Sequence, residues 1–378
     1  MLRPIVPFTV AGVLAACTAV SIDPPGRAPV QCQDAHPYRG PKVFSPAIAL
    51  PLKMAAQPKE TLKAQQAARF EKSLDLALDR SEAEALHAAV LLPGKGIWHG
   101  ERGAAAQPLA HWASVGKAFT AAVIMQLWQE NKLSLESPVS LWIDGVPNGD
   151  VITIRHLLNH TSGLFSANED PGYRQNPRVL SLQDELVILT AHGPLFCPGA
   201  SWRYSNSNYV LLGAIAEHIE GRSYDEIVVR RITRPLGLKH TRIATPRDSL
   251  ADVTPAAAPG PTDIPADPRR AGAAGGVVAP ASEMVLFWQA LLEGRLFGPV
   301  QLREMFSELY SMFGKPEYYG LGIMAYTLPN RLLIGHSGGG AGLRAAVLYD
   351  PTANAFVAVS ISGNKGAEAT ANLLLQSL

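Results

Sequence analysis

The chain holds 378 residues, 47% of them hydrophobic and 17% charged, enough to bury a large core in one big domain or two smaller ones. Its 33 lysines and arginines stand against 32 acidic residues. That balance leaves no basic field for sequence-independent nucleic-acid binding and excludes nucleic acid as a partner.

The N-terminus, MLRPIVPFTVAGVLAACTAV, has one basic residue, Arg3, before an apolar run from Ile5 to Ala16. The run is shorter than the roughly 20 residues a bilayer span needs, but it has the length of an export-signal core. It closes in Leu14-Ala15-Ala16-Cys17, which resembles a bacterial lipobox, where cleavage before the cysteine leaves it lipid-modified. The reading is a signal peptide over 1–16 and a lipid on Cys17, which ties the protein to a membrane on the periplasmic side of a bacterial envelope. An ordinary cleaved signal with an incidental Cys17 is the alternative.

Residues 17–59 are proline-rich and aperiodic, as in SIDPPGRAPVQCQDAHPYRGPK, and read as a lipid-anchored linker. Cys32, in that linker, and Cys197 are either a disulfide of an oxidising compartment or two free thiols.

The folded domain is placed over 60–378. Leu62, Phe70, Leu74 and Leu78 recur at helical spacing, and AAVLLPGKGIWHGE then gives two short strands around Pro93-Gly94-Lys95-Gly96. A mostly helical part spans about 114–275. SVGKAFTAAVIMQLWQEN is its clearest helix, with others in TIRHLLNH, capped by Thr153, and in NYVLLGAIAEHIEG, stopped by Gly221. After a Pro/Ala/Gly-dense loop over 252–280 comes the helix SEMVLFWQALLEG. RLLIGH, LRAAVLYD and NAFVAVSIS then read as strands before a last helix. Strands at both ends with helices between them predict an α/β fold: a mainly antiparallel sheet flanked by helices, built from both chain ends, with a helical subdomain inserted.

Two serines compete as nucleophile. GHSGGG, around Ser337, fits G-x-S-x-G, but a nucleophile elbow runs from a strand into a helix and needs a histidine further along the chain. Here the stretch joins two strands, and the last histidine is His336. Ser114-Val115-Gly116-Lys117 offers the other route: a lysine one helical turn on lies on the serine's face, where its neutral amine can take the hydroxyl proton. A second S-x-x-K, Ser362-Gly363-Asn364-Lys365, shows that this motif alone is weak.

Order along the chain decides between them. S-x-x-K is followed by Tyr204-Ser205-Asn206 and then by His336-Ser337-Gly338. Supporting blocks LLNHTSGL, PGASWRYSNSNY, PLGLKHT and AGGVVAPASEM fall between. Over about 60–378 the chain resembles the serine β-lactamase and penicillin-binding-protein superfamily, in particular its class C β-lactamase, D-aminopeptidase and esterase branch. That resemblance implies Ser114 as nucleophile, with Lys117 and Tyr204 moving protons. It implies an oxyanion hole from the backbone N–H groups of Ser114 and Gly339, and substrate contacts from Asn206, His336, Ser337 and Gly338. His160, in HTSG, is implied to support the site from beside it, and His111 to be structural. No metal and no cofactor are expected.

The third motif departs from a lactamase of this branch, which carries lysine and threonine there. A histidine, near 6.5 in the free state, is mostly neutral at pH 7 and weakens recognition of an anionic substrate. The expectation is a serine hydrolase forming an acyl-enzyme on a short acyl ester or a D-amino-acid peptide. A class C-like β-lactamase or a DD-carboxypeptidase is the alternative within enzymes. An inactive lipoprotein that binds peptidoglycan or a partner is the alternative outside them.

Overall fold

The computed structural model describes residues 30–41, 44, 50, 61–258, 260, 263–312, 316–329 and 331–378. Helix α1 (Ala64–Ser81) buries Phe70, Leu74 and Ala77, three and four residues apart, and ends where Glu82 turns left-handed at φ 54°. The hairpin β1 (Ala85–Leu92) and β2 (Gly96–Arg102) follows. All eight residues of β1 are buried, the mark of a strand covered on both faces, whereas β2 alternates as a sheet-edge strand does.

Strand β3 (Ala110–His111) leads into helix α2 (Lys117–Gln129). The helical part continues through α3 (Ile154–Leu158), α4 (Pro171–Gln175), α5 (Leu182–His192), α6 (Asn206–Glu220), α7 (Tyr224–Val228) and α8 (Arg234–Leu236). Thr153 caps α3 in a reciprocal box with His156, and Gly221 ends α6 at φ 63°. Strands β4 (Arg242–Ile243) and β5 (Val277–Ala279) complete a small sheet with β3.

The chain then returns to the large sheet through α9 (Ala281–Leu292), α10 (Pro299–Glu304), β6 (Tyr310–Ser311), β7 (Glu317–Tyr319) and β8 (Met324–Leu328). It closes with β9 (Arg331–Gly340), β10 (Leu343–Asp350), β11 (Ala355–Ser362) and α11 (Ala367–Gln376). The large sheet is antiparallel, in the order β2-β1-β11-β10-β9-β8-β7-β6. The two chain ends meet within it, next to the β2 edge, since β1 pairs with β11 from Ala85↔Ser362 to Leu91↔Phe356. The architecture is therefore the α/β sheet built from both ends with a helical insertion.

Two cores hold it. On one face α1 and α11 pack Phe70, Leu74 and Leu374 against the sheet. On the other, α2 is buried all round and stacks Phe119 on Phe287 of α9, with ring centres 3.7 Å apart. Truncating either ring to alanine costs about 3–5 kcal/mol.

The linker expected over 17–59 is not free along its described part. Cys32 and Cys197 form a disulfide, Asn148 accepts from Cys32 N and donates to Val30 O, and His36 N and Arg39 N donate to Pro198 O and Ala200 O. Tyr38 meets Tyr310 edge-on at 4.9 Å, and Phe44 exchanges two backbone hydrogen bonds with Leu309. Residues 30–41 and Phe44 thus form a strap from the helical part to the sheet's β6 edge. Its backbone supplies much of the pairing, so no hydrophobic period announces it. The signal peptide and Cys17 lie outside the described residues.

Candidate active site

Ser114 sits in a 3-10 turn, Ala113–Gly116, rather than in the first turn of an α-helix; α2 begins at Lys117. In such a turn side chains three residues apart eclipse, which carries Lys117 over Ser114. The turn is anchored from behind: Trp112 N donates to Val277 O, Trp112 Nε1 donates to Ala279 O, and His111 Nε2 lies 3.0 Å from Gly275 O. Just before the serine, Ala113 is held left-handed at φ 44°, a strained state for alanine. Gly275 makes room for it, because a Cβ there would lie 2.8 Å from Ala113 O.

Lys117 is fully buried, and its Nζ lies 3.2 Å from Ser114 Oγ, 2.6 Å from Asn206 Oδ1 and 2.7 Å from Ala274 O. Burial holds its pKa well below the usual lysine value. In its neutral form, which burial favours, the amine has two N–H groups and one lone pair. Asn206 Oδ1 and Ala274 O can only accept, so in that form they take the two N–H groups and the lone pair faces Ser114. That form can serve as the general base.

Asn206 is itself fixed. Its N–H donates to Ser166 Oγ, its Nδ2 donates to Asn168 Oδ1, and Ser166 Oγ donates to that same oxygen. Sequence reasoning missed Ser166, Asn168 and the Ala274 carbonyl. Only the short-range S-x-N spacing of Ser166 and Asn168 hinted at a side-chain-braced turn.

Tyr204 arrives on the extended segment before α6, with its ring centre 4.9 Å from Lys117 Nζ and 4.3 Å from the His160 ring. His160 is not a base. Its Nδ1 accepts from Ser205 N and Asn208 Nδ2, burial with Lys117 and His336 nearby keeps it neutral, and its proton therefore rests on Nε2. That N–H is buried without a hydrogen-bond partner among the described residues, among the rings of Trp202, Tyr204, Tyr209 and Tyr319. It supports Tyr204 from the side.

The third motif lies within β9 itself, not in a connection between strands; the turn comes later, at Ala341 and Gly342. His336 departs from its expected role in substrate contact. Its ring is buried, Nδ1 donates to Ser337 O at 2.6 Å, and Nε2 stands 3.0 Å from Tyr319 Oη, so neither nitrogen is left for a substrate. Burial, followed by Lys117, pushes it down to about 3. With His336 neutral, Tyr319 gives its one proton to Nε2. Tyr209, 3.3 Å from Tyr319 Oη, gives its own to Leu158 O. His336 fixes the strand and carries no charge.

Strand β8 pairs with β9 only as far as Met324↔Gly335, so residues 336–340 form an open edge beside Ser114. Gly338 faces the nucleophile turn; a Cβ there would lie 2.8 Å from Ser114 N and 2.7 Å from Trp112 O. Ser337 N points away from β10, toward Met324 Sδ at 3.5 Å. Amides two apart along a strand point the same way, so Gly339 N–H projects from the same open edge and joins Ser114 N–H as the expected oxyanion pair. The second S-x-x-K does other work: Ser362 Oγ donates to Pro255 O, and Lys365 pairs with Glu82.

Comparison with known proteins gives the family and the fold. A family profile described as Beta-lactamase matches residues 78–377. A penicillin-binding protein of Bacillus subtilis (strain 168) is 40% identical over 139 residues, 35% of this chain and 30% of that protein. The chain spans about half the length, or less, of the curated relatives it matches. Among solved structures, a D-stereospecific amidohydrolase from Streptomyces sp. is 29% identical with a TM-score of 0.70, over 81% of this chain and 97% of that one. The D-amino acid amidase from Ochrobactrum anthropi SV3 is 24% identical with a TM-score of 0.74, over 83% and 99%, a likeness of fold.

Proposed function

The chain belongs to the beta-lactamase family, and from that premise we propose that it is a serine hydrolase that cleaves an amide or ester next to a D-amino acid through an acyl-enzyme on Ser114. The observation that carries the reading is the buried Lys117 amine, its pKa held well below the usual lysine value, 3.2 Å from Ser114 Oγ. Lys117 takes the hydroxyl proton as Oγ attacks the carbonyl carbon, and the N–H groups of Ser114 and Gly339 hold the oxygen that becomes negative. The proton passes through Lys117 and Tyr204 to the departing amine or alcohol. Water then releases the acid and restores the serine.

The neutral His336 on the strand supports amino-acid substrates over anionic lactams, and the likeness to a D-stereospecific amidohydrolase supports the D-configuration. We place the enzyme on the periplasmic side of the envelope, held by a lipid on Cys17. The lipobox-like LAAC and the Cys32–Cys197 disulfide support that placement.

Intact-mass spectrometry during turnover of a D-amino-acid ester tests the reaction. One acyl group is expected on the wild type and on Ser337→Ala, and none on Ser114→Ala. Full hydrolysis by Ser114→Ala would overturn the assignment. A mature N-terminus other than a lipidated Cys17 would overturn the anchor.

A further inference from the structure

Asn206 can act on Lys117 in two senses. Its amide carries an oxygen and an NH2 group of nearly equal shape, and the oxygen, 2.6 Å from Lys117 Nζ, takes an N–H from the amine. Turned over, the same side chain would donate to the lone pair of the neutral amine and take it from Ser114 Oγ, 3.2 Å away. Base chemistry at Lys117 therefore depends on the sense of one amide.

The neighbours fix that sense in a closed relay. It starts at the Asn206 backbone N–H, which can only donate and does so to Ser166 Oγ at 2.9 Å. Ser166 is 1% exposed, so its own proton needs an acceptor inside the protein, and it goes to Asn168 Oδ1 at 2.7 Å. With its oxygen turned to that hydroxyl, Asn168 also accepts from Asn206 Nδ2 at 2.9 Å, and Asn206 Oδ1 is left facing Lys117. Asn168 is exposed, and water satisfies its outward atom in either sense, so solvent does not make the choice. Ser166 makes it.

The two segments are joined by other bonds as well. Ser205 Oγ donates to Phe165 O at 2.9 Å, and Ala167 N donates to Ser207 Oγ at 2.9 Å, one on each side of the Ser166 contact. Loss of the Ser166 hydroxyl thus frees the amide sense while the backbones stay held.

We propose that Ser166 and Asn168 are positioning residues that set the sense of the Asn206 amide and so keep the Lys117 lone pair on Ser114. The inference rests on the hydrolase reading and adds to it two residues that reach the base only through Asn206. It carries a specific consequence: a group at position 168 that can only accept, such as the aspartate carboxylate, should hold the sense without help from Ser166.

The rate at which a fluorophosphonate phosphonylates Ser114, followed against pH, reads the base without a chosen substrate. Ser166→Ala is expected to slow it by about tenfold or more. The acidic limb should move to lower pH, because an NH2 group turned toward Nζ disfavours the ammonium. A role in packing alone would let water in and move the limb up toward the ordinary lysine value, and that outcome would overturn the proposal. Adding Asn168→Asp to Ser166→Ala should restore most of the lost rate and bring the limb back up. Losses that add in the double variant, or a Ser166→Ala protein that reacts at the wild-type rate, would sink the idea. Should Ser166→Ala fail to fold, the exposed position decides: Asn168→Asp is expected to react about tenfold faster than Asn168→Leu, and equal rates rule the relay out. A wild type that the fluorophosphonate does not label at Ser114 would instead overturn the hydrolase reading.

Discussion

Lys117 Nζ stands 3.2 Å from Ser114 Oγ while Asn206 Oδ1 and Ala274 O take its remaining hydrogen-bonding directions. The amine is usable as a base because burial favours its neutral form. Lys117→Arg puts there a group that does not lose its proton. Phosphonylation of Ser114 by a fluorophosphonate, with loss of fluoride, should slow by about a thousandfold or more, within the range expected for loss of a general base. Labelling at the wild-type rate would remove Lys117 from the mechanism.

Asn206 sets how neutral that amine is. Asn206→Asp places a carboxylate 2.6 Å from Nζ, favours the ammonium, and should move the acidic limb of kcat/KM to higher pH. Asn206→Ala removes the acceptor without adding charge and should lower activity with no comparable upward shift. Coincident pH profiles for the two variants would show that Asn206 only positions.

Gly338→Ala is expected to cost about a hundredfold in kcat/KM with the circular dichroism spectrum unchanged. Its methyl group would lie 2.7 Å from Trp112 O and 2.8 Å from Ser114 N, so either the strand or the nucleophile turn must shift. Wild-type kinetics would mean the edge has more slack than this spacing allows.

Two buried histidines and a half-buried one tie stability to pH. Burial lowers His111 and His156 to about 4 and His336 to about 3, so below about 6.5 the unfolded chain takes up protons that the folded one does not. The stability these groups contribute is full above pH 6.5 and is lost between 6.5 and about 4 for His111 and His156, and down to about 3 for His336. Each costs up to about 1.4 kcal/mol per pH unit in that window. Denaturant melts at pH 7, 6, 5 and 4 should show the loss growing, and His156→Gln should flatten it. No common acid-labile slope would contradict the neutral assignments.

Opening the strap should be felt at the site. Cys32→Ser releases a closure across 165 residues, worth up to about 5 kcal/mol on chain entropy, and loosens Pro198 and Ala200, which precede Tyr204. A Tm several degrees lower and a raised KM are expected; identical values in oxidised and Cys32→Ser protein would make the strap passive.

Much of this was legible in the order of residues, and what was hidden has physical reasons. The strands β1 and β9 to β11 announced themselves by apolar runs between turns, and Ser114, Lys117, Tyr204 and Asn206 by motifs in fixed order. The structure gathers Lys117 and Asn206 around Ser114 and sets Tyr204 beside Lys117. His336 was misread because a motif position says nothing about which way a ring turns; Tyr319, with no motif of its own, decides that. The strap and the Ala274 carbonyl act through backbone groups, which every residue carries and no composition reveals.

The disulfide also orders events in time. Cys32 leaves the ribosome long before Cys197, so its thiol must wait through the making of the first strands, the nucleophile turn and half the helical part. The bond cannot close before Cys197 is made, and strands β9 to β11, which complete the large sheet, are made later still. A gel shift with a thiol-reactive polymer would therefore time this one closure in a pulse-labelled chain, with the protein acting as its own clock.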